Sequence, residues 1–379
     1  MIKRLNVLIV LAAAAGVAGL VVVMSRAERT EGLRVHGKAI EIFGQGYTLA
    51  RLADEVGDPA VLAYDAARRE AEAKASLVVR GGLRIGDPDD RRRGETLVLD
   101  TVVCGDLRLE VARGGRLEVY HSEVTTKSRM LTADQCSRGY ALVVDGTLAV
   151  ADSRFLYMSG SRSETARERA QVDLDRAVFS LSDGCSFHTV RLDGRRADIR
   201  DSRFRCEGRF GFIVEGLGDA PVVLRRCLLS GRMADLALTG RRAAAELVDC
   251  QFSKAKIKFF HRRGRVVVRW TVKATVVERG SGRPLPGIAV TATSSGKVAR
   301  ETVESRTAAD GTCQLVLGEY VATPEAPLPQ EGLNLVTPHR IAARSAAGKV
   351  LAEVAAYRAE GPRGEVTLEV PPQPLAASR

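Results

Sequence analysis

The chain has 379 residues, of which 45% are apolar and 27% charged, with 57 Lys and Arg against 46 Asp and Glu. This apolar fraction is that of a chain that buries a core, which argues against disorder, and the length is typical of two or three domains. Only one stretch is long and apolar enough to span a bilayer, which excludes a polytopic membrane protein. The net charge of +11 would suit nucleic acid, but only 5% of the residues are aromatic, which leaves few rings to stack on bases.

The N-terminal segment, residues 1–27, predicts a membrane anchor or a signal segment. Lys3 and Arg4 precede an uncharged apolar run over residues 7–24, which is just long enough to cross the hydrocarbon core as a helix. Basic residues before such a run keep the N-terminus in the cytoplasm, so the bulk of the chain is expected to be extracytoplasmic. Cleavage of the segment as a signal peptide is the alternative, and it would make the protein secreted or periplasmic. Either location argues against a nucleic-acid partner.

Residues 28–69 predict a linker and a helical cap. The sequence over residues 48–56 places Leu49 and Leu52 at helical spacing, and Gly57 follows as a stop signal. Stacked strands expose unpaired backbone groups and an apolar core at an open end, so we expect this helix to cover such an end.

Residues 70–268 contain a repeated strand pattern. Apolar side chains alternate over residues 70–79, and six later segments each read apolar, any, apolar, any, polar, small, any, bulky apolar. The segments follow one another at 31, 24, 25, 25 and 23 residues. They are LEVYHSEV, LAVADSRF, VDLDRAVF, ADIRDSRF, VVLRRCLL and AELVDCQF. The small position holds Ser122, Ser153, Ala177, Ser202, Cys227 and Cys250, and the bulky position holds Val124, Phe155, Phe179, Phe204, Leu229 and Phe252.

This period leaves no room for the crossover helices of a βαβ fold. Leucine-rich repeats share the period, but the Asn of their turn and their helical half are absent. Strands that alternate, turn and return one layer higher are the coils of a parallel β-helix, stacked at the ~4.8 Å strand spacing. Over residues 70–268 the repeat resembles the right-handed parallel β-helix proteins of the pectate-lyase-like superfamily. The resemblance implies the fold but no single activity, since members include lyases, hydrolases, epimerases and proteins without known activity.

Residues 269–371 predict an antiparallel β-sandwich, and residues 372–379 a tail. The strand VVVRWTVKATVV leads into Gly/Pro turns and short strands every 10 to 15 residues. Its GRPLPGIAV and TAADGTCQL elements resemble the carboxypeptidase regulatory-like, transthyretin-like domain, which implies an accessory sandwich without catalytic residues. The chain is therefore predicted to be all-β: a right-handed parallel β-helix with an N-terminal helical cap, a C-terminal antiparallel β-sandwich and one N-terminal transmembrane helix.

The position before each small residue carries the best catalytic candidates. It holds His121, Asp152, Arg176, Asp201, Arg226 and Asp249, so the sign of the charge alternates. Carboxylates two layers apart, as expected for Asp152, Asp201 and Asp249, approach the separation found in inverting glycosidases. The alternative is a charge-balanced outer surface, which we favour because an intervening arginine lowers the pKa of its carboxylate neighbours, whereas a general acid needs it raised. No motif of the β-helix hydrolases or lyases is present, and the five histidines lack metal-ligand spacing, so we expect no metal site and no cofactor.

Two of the seven cysteines, Cys227 and Cys250, occupy equivalent positions in neighbouring coils. Their Cα atoms are expected about one strand spacing apart, which is within disulfide range. Because Ser and Ala fill the same position elsewhere, we favour buried thiols over a disulfide.

A basic run follows the last coil. It comprises Lys254, Lys256, Lys258, His261, Arg262, Arg263 and Arg265. We expect the three lysines to share the outward face of one strand and to bind an acidic glycan, a phosphate-bearing envelope polymer or lipid head groups. The alternative is a charged edge that prevents pairing with another chain.

Two functions are compatible with these features. The first is a non-catalytic, envelope-tethered binding or scaffold protein. Its β-helix face would recognise a polysaccharide, such as an anionic polysaccharide or envelope polymer, or a surface partner. The second is a carbohydrate-active enzyme: a lyase, hydrolase or epimerase. The absence of a clustered acidic site favours the first.

Overall fold

The computed structural model describes residues 32–101, 107–127, 139–158, 165–167, 170–181, 187–190, 194–206, 209–216, 220–296 and 300–372. The predicted N-terminal segment over residues 1–27 lies outside the described residues, as does the tail from residue 373. None of the helices in the described part is long and apolar enough to cross a membrane.

The described chain forms two compact units: the described residues up to 158 and residues 170–171 belong to the first, and residues 165–167 with those from Val172 onward belong to the second. The first unit holds one helix, α1 (Leu49–Val56), and strands β1 to β14. These strands are β1 (Leu33–His36), β2 (Ala39–Ile42), β3 (Tyr47–Thr48), β4 (Leu62–Asp65), β5 (Glu70–Ala73), β6 (Ser76–Val79), β7 (Gly82–Ile85), β8 (Thr96–Leu99), β9 (Leu107–Val111), β10 (Arg116–Tyr120), β11 (Glu123–Thr126), β12 (Tyr140–Val144), β13 (Thr147–Ala151) and β14 (Arg154–Met158).

The second unit holds strands β15 to β32. They are β15 (Gln171–Asp175), β16 (Val178–Leu181), β17 (Phe187–Val190), β18 (Ala197–Arg200), β19 (Arg203–Cys206), β20 (Phe210–Glu215), β21 (Val222–Arg225), β22 (Leu228–Gly231), β23 (Ala234–Leu238), β24 (Ala244–Val248), β25 (Ile257–Phe259), β26 (Arg265–Glu278), β27 (Ala289–Ser294), β28 (Thr302–Arg306), β29 (Thr312–Ala322), β30 (His339–Arg344), β31 (Val350–Tyr357) and β32 (Gly364–Val370). Turns of 3-10 helix lie at Arg91–Arg93, Gly194–Arg196 and Lys254–Lys256.

Strands one repeat apart pair in parallel within each unit. In the first unit β10 lies between β7 and β13, β11 between β8 and β14, and β9 between β6 and β12. In the second unit β18 lies between β15 and β21, β19 between β16 and β22, and β20 between β17 and β23. Each coil thus contributes a strand to three rows of parallel strands, an arrangement compatible with a parallel β-helix.

Helix α1 begins and ends where the sequence predicts. Thr48 caps its first turn by accepting a hydrogen bond from the Arg51 N–H at 3.4 Å, and Gly57 ends it with a φ of 64°, which glycine adopts without steric cost. Its apolar side buries Leu49 and Leu52 completely. The rest of residues 28–69 is not only a linker, because β1 and β2 form an antiparallel hairpin and β4 pairs antiparallel with β5.

The bulky ladder predicted from the repeat is the core of the second unit up to its last coil. The rings of Phe179 and Phe204 stack with centroids 5.3 Å apart and an interplanar angle of 1°, and Phe187 stacks on Phe212 at the same distance. All four rings are fully buried. Phe252, the last member of the predicted ladder, is only half-buried.

The C-terminal part is antiparallel, as predicted. Strands β27, β28, β30 and β31 form a four-stranded antiparallel sheet, and β29 pairs antiparallel with β26. Strand β26 also pairs in parallel with β24 and with β32. One continuous strand therefore crosses the boundary predicted between residues 268 and 269 and joins the parallel coils to the antiparallel sheet.

The position before each small residue has a left-handed backbone conformation. The φ values are 52° at His121, 49° at Asp152, 51° at Arg176, 53° at Asp201, 51° at Arg226 and 54° at Asp249. The sequence pattern did not predict this conformation, because Asp and His are enriched there but the arginines that alternate with them are not. Each of these residues is a corner between two strands, and we call the set the corner residues.

The small residue after each corner is buried and bonded between coils. The Ala177 N–H donates to the Ser202 hydroxyl at 3.2 Å, and that hydroxyl donates to the Arg200 carbonyl at 2.7 Å. In the first unit the Ser122 N–H donates to the Ser153 hydroxyl at 3.0 Å. A buried N–H left without an acceptor is costly, so the small side chain serves both as filler and as acceptor for the neighbouring coil.

We expect Ser202→Ala to lower the free energy of unfolding by about 1–3 kcal/mol, because the buried Ala177 N–H loses its acceptor. Ser202→Cys should lose less, since a thiol fills this position in the next two coils. Urea unfolding followed by circular dichroism measures both. Equal stability of Ser202→Ala and the wild type would contradict this role of the hydroxyl.

Candidate functional site

A cleft of about 770 Å³ lies beside the last corner residues of the second unit. An adjoining groove of about 530 Å³ shares Arg226, Asp249, Pro362 and Arg363 with it. We call the two together the corner cleft. Each volume falls within the range of small-ligand sites. Its other lining side chains include Asp201, Arg203, Leu228, Gln251, Phe252, Trp270, Lys273, Gln314 and Glu365.

The strand ends place the charged groups of the corner cleft. Asp201 follows β18, Arg226 follows β21 and Asp249 follows β24. Their N–H groups donate to carbonyls of the next layer at 2.8, 2.8 and 3.0 Å, respectively. Because the backbone at each corner is bonded in this way, the three side chains are held in one row at fixed layer spacing.

Asp201 and Arg226 form a two-point ion pair. The Nε and Nη2 groups of Arg226 donate to the two carboxylate oxygens of Asp201, each at 2.7 Å. The hydrogen bonds from Arg226 hold the pKa of Asp201 below its usual value, against the opposing effect of burial. Asp201 is therefore a carboxylate at neutral pH and lacks the proton that a general acid must supply.

Asp249 is also fully engaged. One of its carboxylate oxygens accepts the Thr271 N–H at 2.6 Å, and the other accepts the Thr271 hydroxyl at 2.5 Å. Thr271 lies on β26, so Asp249 fastens the last coil to the strand that continues into the antiparallel sheet. This carboxylate has no oxygen without a protein donor.

The third aspartate candidate lies elsewhere. Asp152 belongs to the first unit, where His121 Nδ1 lies 3.5 Å and Arg91 Nη2 3.6 Å from one of its carboxylate oxygens. The corner cleft therefore contains two of the three predicted aspartates, with Arg226 between them. This is the charge-balanced arrangement favoured by the sequence.

Two arginines of the corner cleft have no ion-pair partner among the described residues. They are Arg203 and Arg363, and both are exposed. Arg203 begins β19, whereas Arg363 lies before β32 with a left-handed φ of 65°. Sequence reasoning missed both, since the repeat gives Arg203 no special place and no local pattern brings the loop at Arg363 to the corners.

The aromatic side chains that line the cleft are largely buried. Trp270 is only 5% exposed, and its indole N–H donates to Glu319 at 2.7 Å. Phe252 is half-buried. The exposed chemistry of the cleft therefore comes from guanidinium and amide groups, such as that of Gln251, together with the Lys273 ammonium and the Glu365 carboxylate.

The basic run does not form one face. Residues Lys254–Lys256 make a 3-10 turn, and β25 begins only at Ile257, so the prediction of three lysines along one strand is wrong. Lys254 pairs with the buried carboxylate of Glu319. Lys256 donates to the Gly231 carbonyl at 3.0 Å and lies 3.9 Å from Asp235. Both lysines are bonded within the fold and remain partly exposed.

The remainder of the basic run is exposed. Lys258, His261, Arg262, Arg263 and Arg265 all face solvent, and no ion pair engages them within the described part of the chain. The free positive charge of this region therefore lies at the turn between β25 and β26.

Cys227 and Cys250 are free thiols in the structure. Cys227 donates to the Arg225 carbonyl at 3.3 Å, and Cys250 donates to the Leu224 carbonyl at the same distance. Hydrogen bonding to Cys227, together with burial, raises the pKa of the Cys250 thiol far above its usual value. These thiols take the place that serine hydroxyls fill in earlier coils.

Within the described ranges, no group of three or more His, Cys, Asp or Glu side chains is placed to hold a metal ion.

No family model matches the chain, and neither the curated proteins nor the solved structures contain a match.

The Asp201–Arg226 pair predicts an acid-dependent loss of stability. A carboxylate whose pKa is lower in the folded than in the unfolded state stabilises the fold above its unfolded pKa, and this contribution disappears as the pH falls through the folded value. We expect Asp201→Asn, which suits the left-handed corner, to lose less stability than the wild type between about pH 5 and pH 2. Urea unfolding at each pH measures this, and parallel curves would contradict it.

The thiol state predicts the outcome of alkylation. Denatured without reductant, the protein should take up iodoacetamide at both Cys227 and Cys250. Peptide mass spectrometry with a reduced sample as control reads the result. A peptide pair linked through these two residues would show that a disulfide forms instead.

Proposed function

We propose that the protein is a non-catalytic binding or scaffold protein that holds an acidic polysaccharide in the corner cleft. The proposal assigns the parallel coils to a right-handed β-helix of the pectate-lyase-like type with a helical cap. It assigns the C-terminal sheets to a carboxypeptidase regulatory-like sandwich. It also includes tethering through residues 7–24, with the rest of the chain outside the cytoplasm.

The observation that carries the proposal is the uneven use of charge in the corner cleft. Asp201 is bound by Arg226 and Asp249 by Thr271, while Arg203 and Arg363 keep exposed guanidinium groups without ion pairs among the described residues. One exposed carboxylate, Glu365, lines the groove, so the cations without ion pairs outnumber it. A ligand carboxylate could accept from such groups, and each charge-assisted hydrogen bond contributes about 1.5–3 kcal/mol.

The same contacts weigh against the enzyme alternative. Glycoside hydrolysis needs one carboxyl group with a raised pKa and a second one free to act on water or sugar. Asp201, with its lowered pKa, and Asp249, with its two donors, fill neither role. Glu365 is the remaining carboxylate of the cleft, and a single carboxylate cannot fill both. Binding without turnover is the chemistry that these residues favour.

Charge reversal in the cleft tests the proposal. The double variant Arg203→Glu/Arg363→Glu should bind immobilised polygalacturonate at least about tenfold more weakly than the wild type at low salt, because two attractive charges become repulsive. Arg300→Glu/Lys349→Glu, which changes two exposed cations elsewhere in the second unit, is the matched control and should bind normally.

Three results would count against this proposal. They are equal weakening by the control, unchanged binding by the cleft variant, and release of unsaturated uronate or new reducing ends during incubation. The last result would restore the enzyme alternative. Thermal unfolding of both variants checks that the fold is intact.

A further inference from the structure

One surface of the second unit carries exposed apolar side chains, one of which packs against another aromatic ring. Phe260 exposes 55% and Met233 56% of their surface, and both rank among the exposed large hydrophobic residues of the described chain. The Phe210 ring packs edge-on against Phe260, with centroids 5.6 Å apart. Met233 follows the turn beside Phe210, since its N–H donates to the Arg209 carbonyl at 2.9 Å. We call Phe210, Met233 and Phe260 the apolar cluster.

Exposed cations adjoin the apolar cluster along the chain. Arg209 precedes Phe210, Arg232 precedes Met233, and the turn after Phe260 carries further cations. They are Arg209, Arg232, Lys258, Arg262, Arg263 and Arg265, all of them exposed and none in an ion pair within the described ranges.

Asp235, two residues after Met233, does not neutralise these cations. Asp235 is 5% exposed and accepts the N–H groups of Gly231 and Ser253 at 3.0 and 2.7 Å. Its remaining cationic contact is Lys256. The surface therefore presents positive charge around apolar side chains, with the neighbouring carboxylate turned inward.

The exposed cations and the exposed apolar side chains together indicate which kind of polyanion this surface binds. A soluble acidic polymer would neutralise the cations but leave Phe260 and Met233 in water. At a bilayer surface anionic head groups meet Lys and Arg, while aromatic and aliphatic side chains enter the boundary between head groups and acyl chains. We propose that this surface docks on an anionic lipid bilayer, with the apolar cluster inserted and the six cations on the head groups. It uses no residue of the corner cleft.

Vesicle flotation with the full chain tests the proposal. The protein, kept in non-ionic detergent too dilute to dissolve vesicles, is mixed with vesicles of phosphatidylcholine alone or with roughly one-third phosphatidylglycerol. Binding that the N-terminal segment supplies is common to all variants, so only differences between variants are interpreted. Hydrogen exchange of the peptide covering residues 257–265 locates the contact.

The expected pattern separates lipid docking from general polyanion binding. Arg262→Glu/Arg263→Glu should lower affinity for the anionic vesicles by at least about tenfold. Phe260→Ser should lower it by about threefold or more. The control Arg300→Glu/Lys349→Glu should leave it unchanged. Phe260→Ser should leave polygalacturonate binding intact, and residues 257–265 should be protected only by anionic vesicles.

Several results would overturn the proposal. Equal loss in the control, or no dependence on phosphatidylglycerol, would show that this surface does not recognise the bilayer. Unchanged vesicle binding by Phe260→Ser, with loss by the charge-reversal variant, would show a polyanion surface without insertion. Because Arg203 and Arg363 are intact in these variants, failure of the lipid proposal leaves the cleft proposal untouched. Failure of the cleft proposal likewise leaves the lipid proposal untouched.

Discussion

The left-handed backbone at each corner is the constraint on which the arrangement of side chains depends. A φ near 50° at residues such as Asp201 and Arg226 sends the chain from one strand into the next within a single residue. The N–H of the following residue then lies inside, where it needs an acceptor from the neighbouring coil. A short side chain fits there, and one with a polar atom also supplies an acceptor, which explains Ser153, Ser202 and the two cysteines; Ala177 fills the position without supplying one. The corner side chain itself must point outward, so the same bend that builds the inner ladder also builds the outer row of charges.

That outer row explains why its signs alternate. Neighbouring corners lie about one strand spacing apart, so like charges would repel and opposite charges can bond. Arg226 has Asp201 on one side and Asp249 on the other, and it bonds Asp201 at two points. Asp249 instead takes Thr271 of β26, because β26 is the next strand in its row. The row thus ends by fastening the parallel coils to the strand that carries the antiparallel sheet.

The sequence predicted what depends on local periodicity. The alternation and the fixed repeat predicted parallel rows, the spacing of Leu49 and Leu52 predicted α1, and the equivalence of Cys227 and Cys250 placed them in one ladder. What it missed depends on contacts between distant segments. Lys254 reaches Glu319, which lies 65 residues away, and this contact favours a 3-10 turn over the predicted strand. Arg363 reaches the corners because β32, which follows it, pairs in parallel with β26, and no repeat carries that information. The left-handed φ at the corners was hidden because Arg176 and Arg226 share it, and arginine is not typical of that conformation.

The net charge of +11 can be interpreted from the partners that four of the carboxylates have in the fold. Asp201, Asp235, Asp249 and Glu319 are held by partners within the fold, and two of them are almost fully buried. Their charges bind groups within the fold. In contrast, Arg203, Arg363 and the arginines of the turn after β25 face solvent. A catalytic site for glycan cleavage would need the opposite distribution, with at least one carboxyl group protonated and another accessible. An excess of accessible guanidinium groups over accessible carboxylates favours recognition of anions, and the presence or absence of apolar neighbours such as Phe260 decides which anion each surface suits.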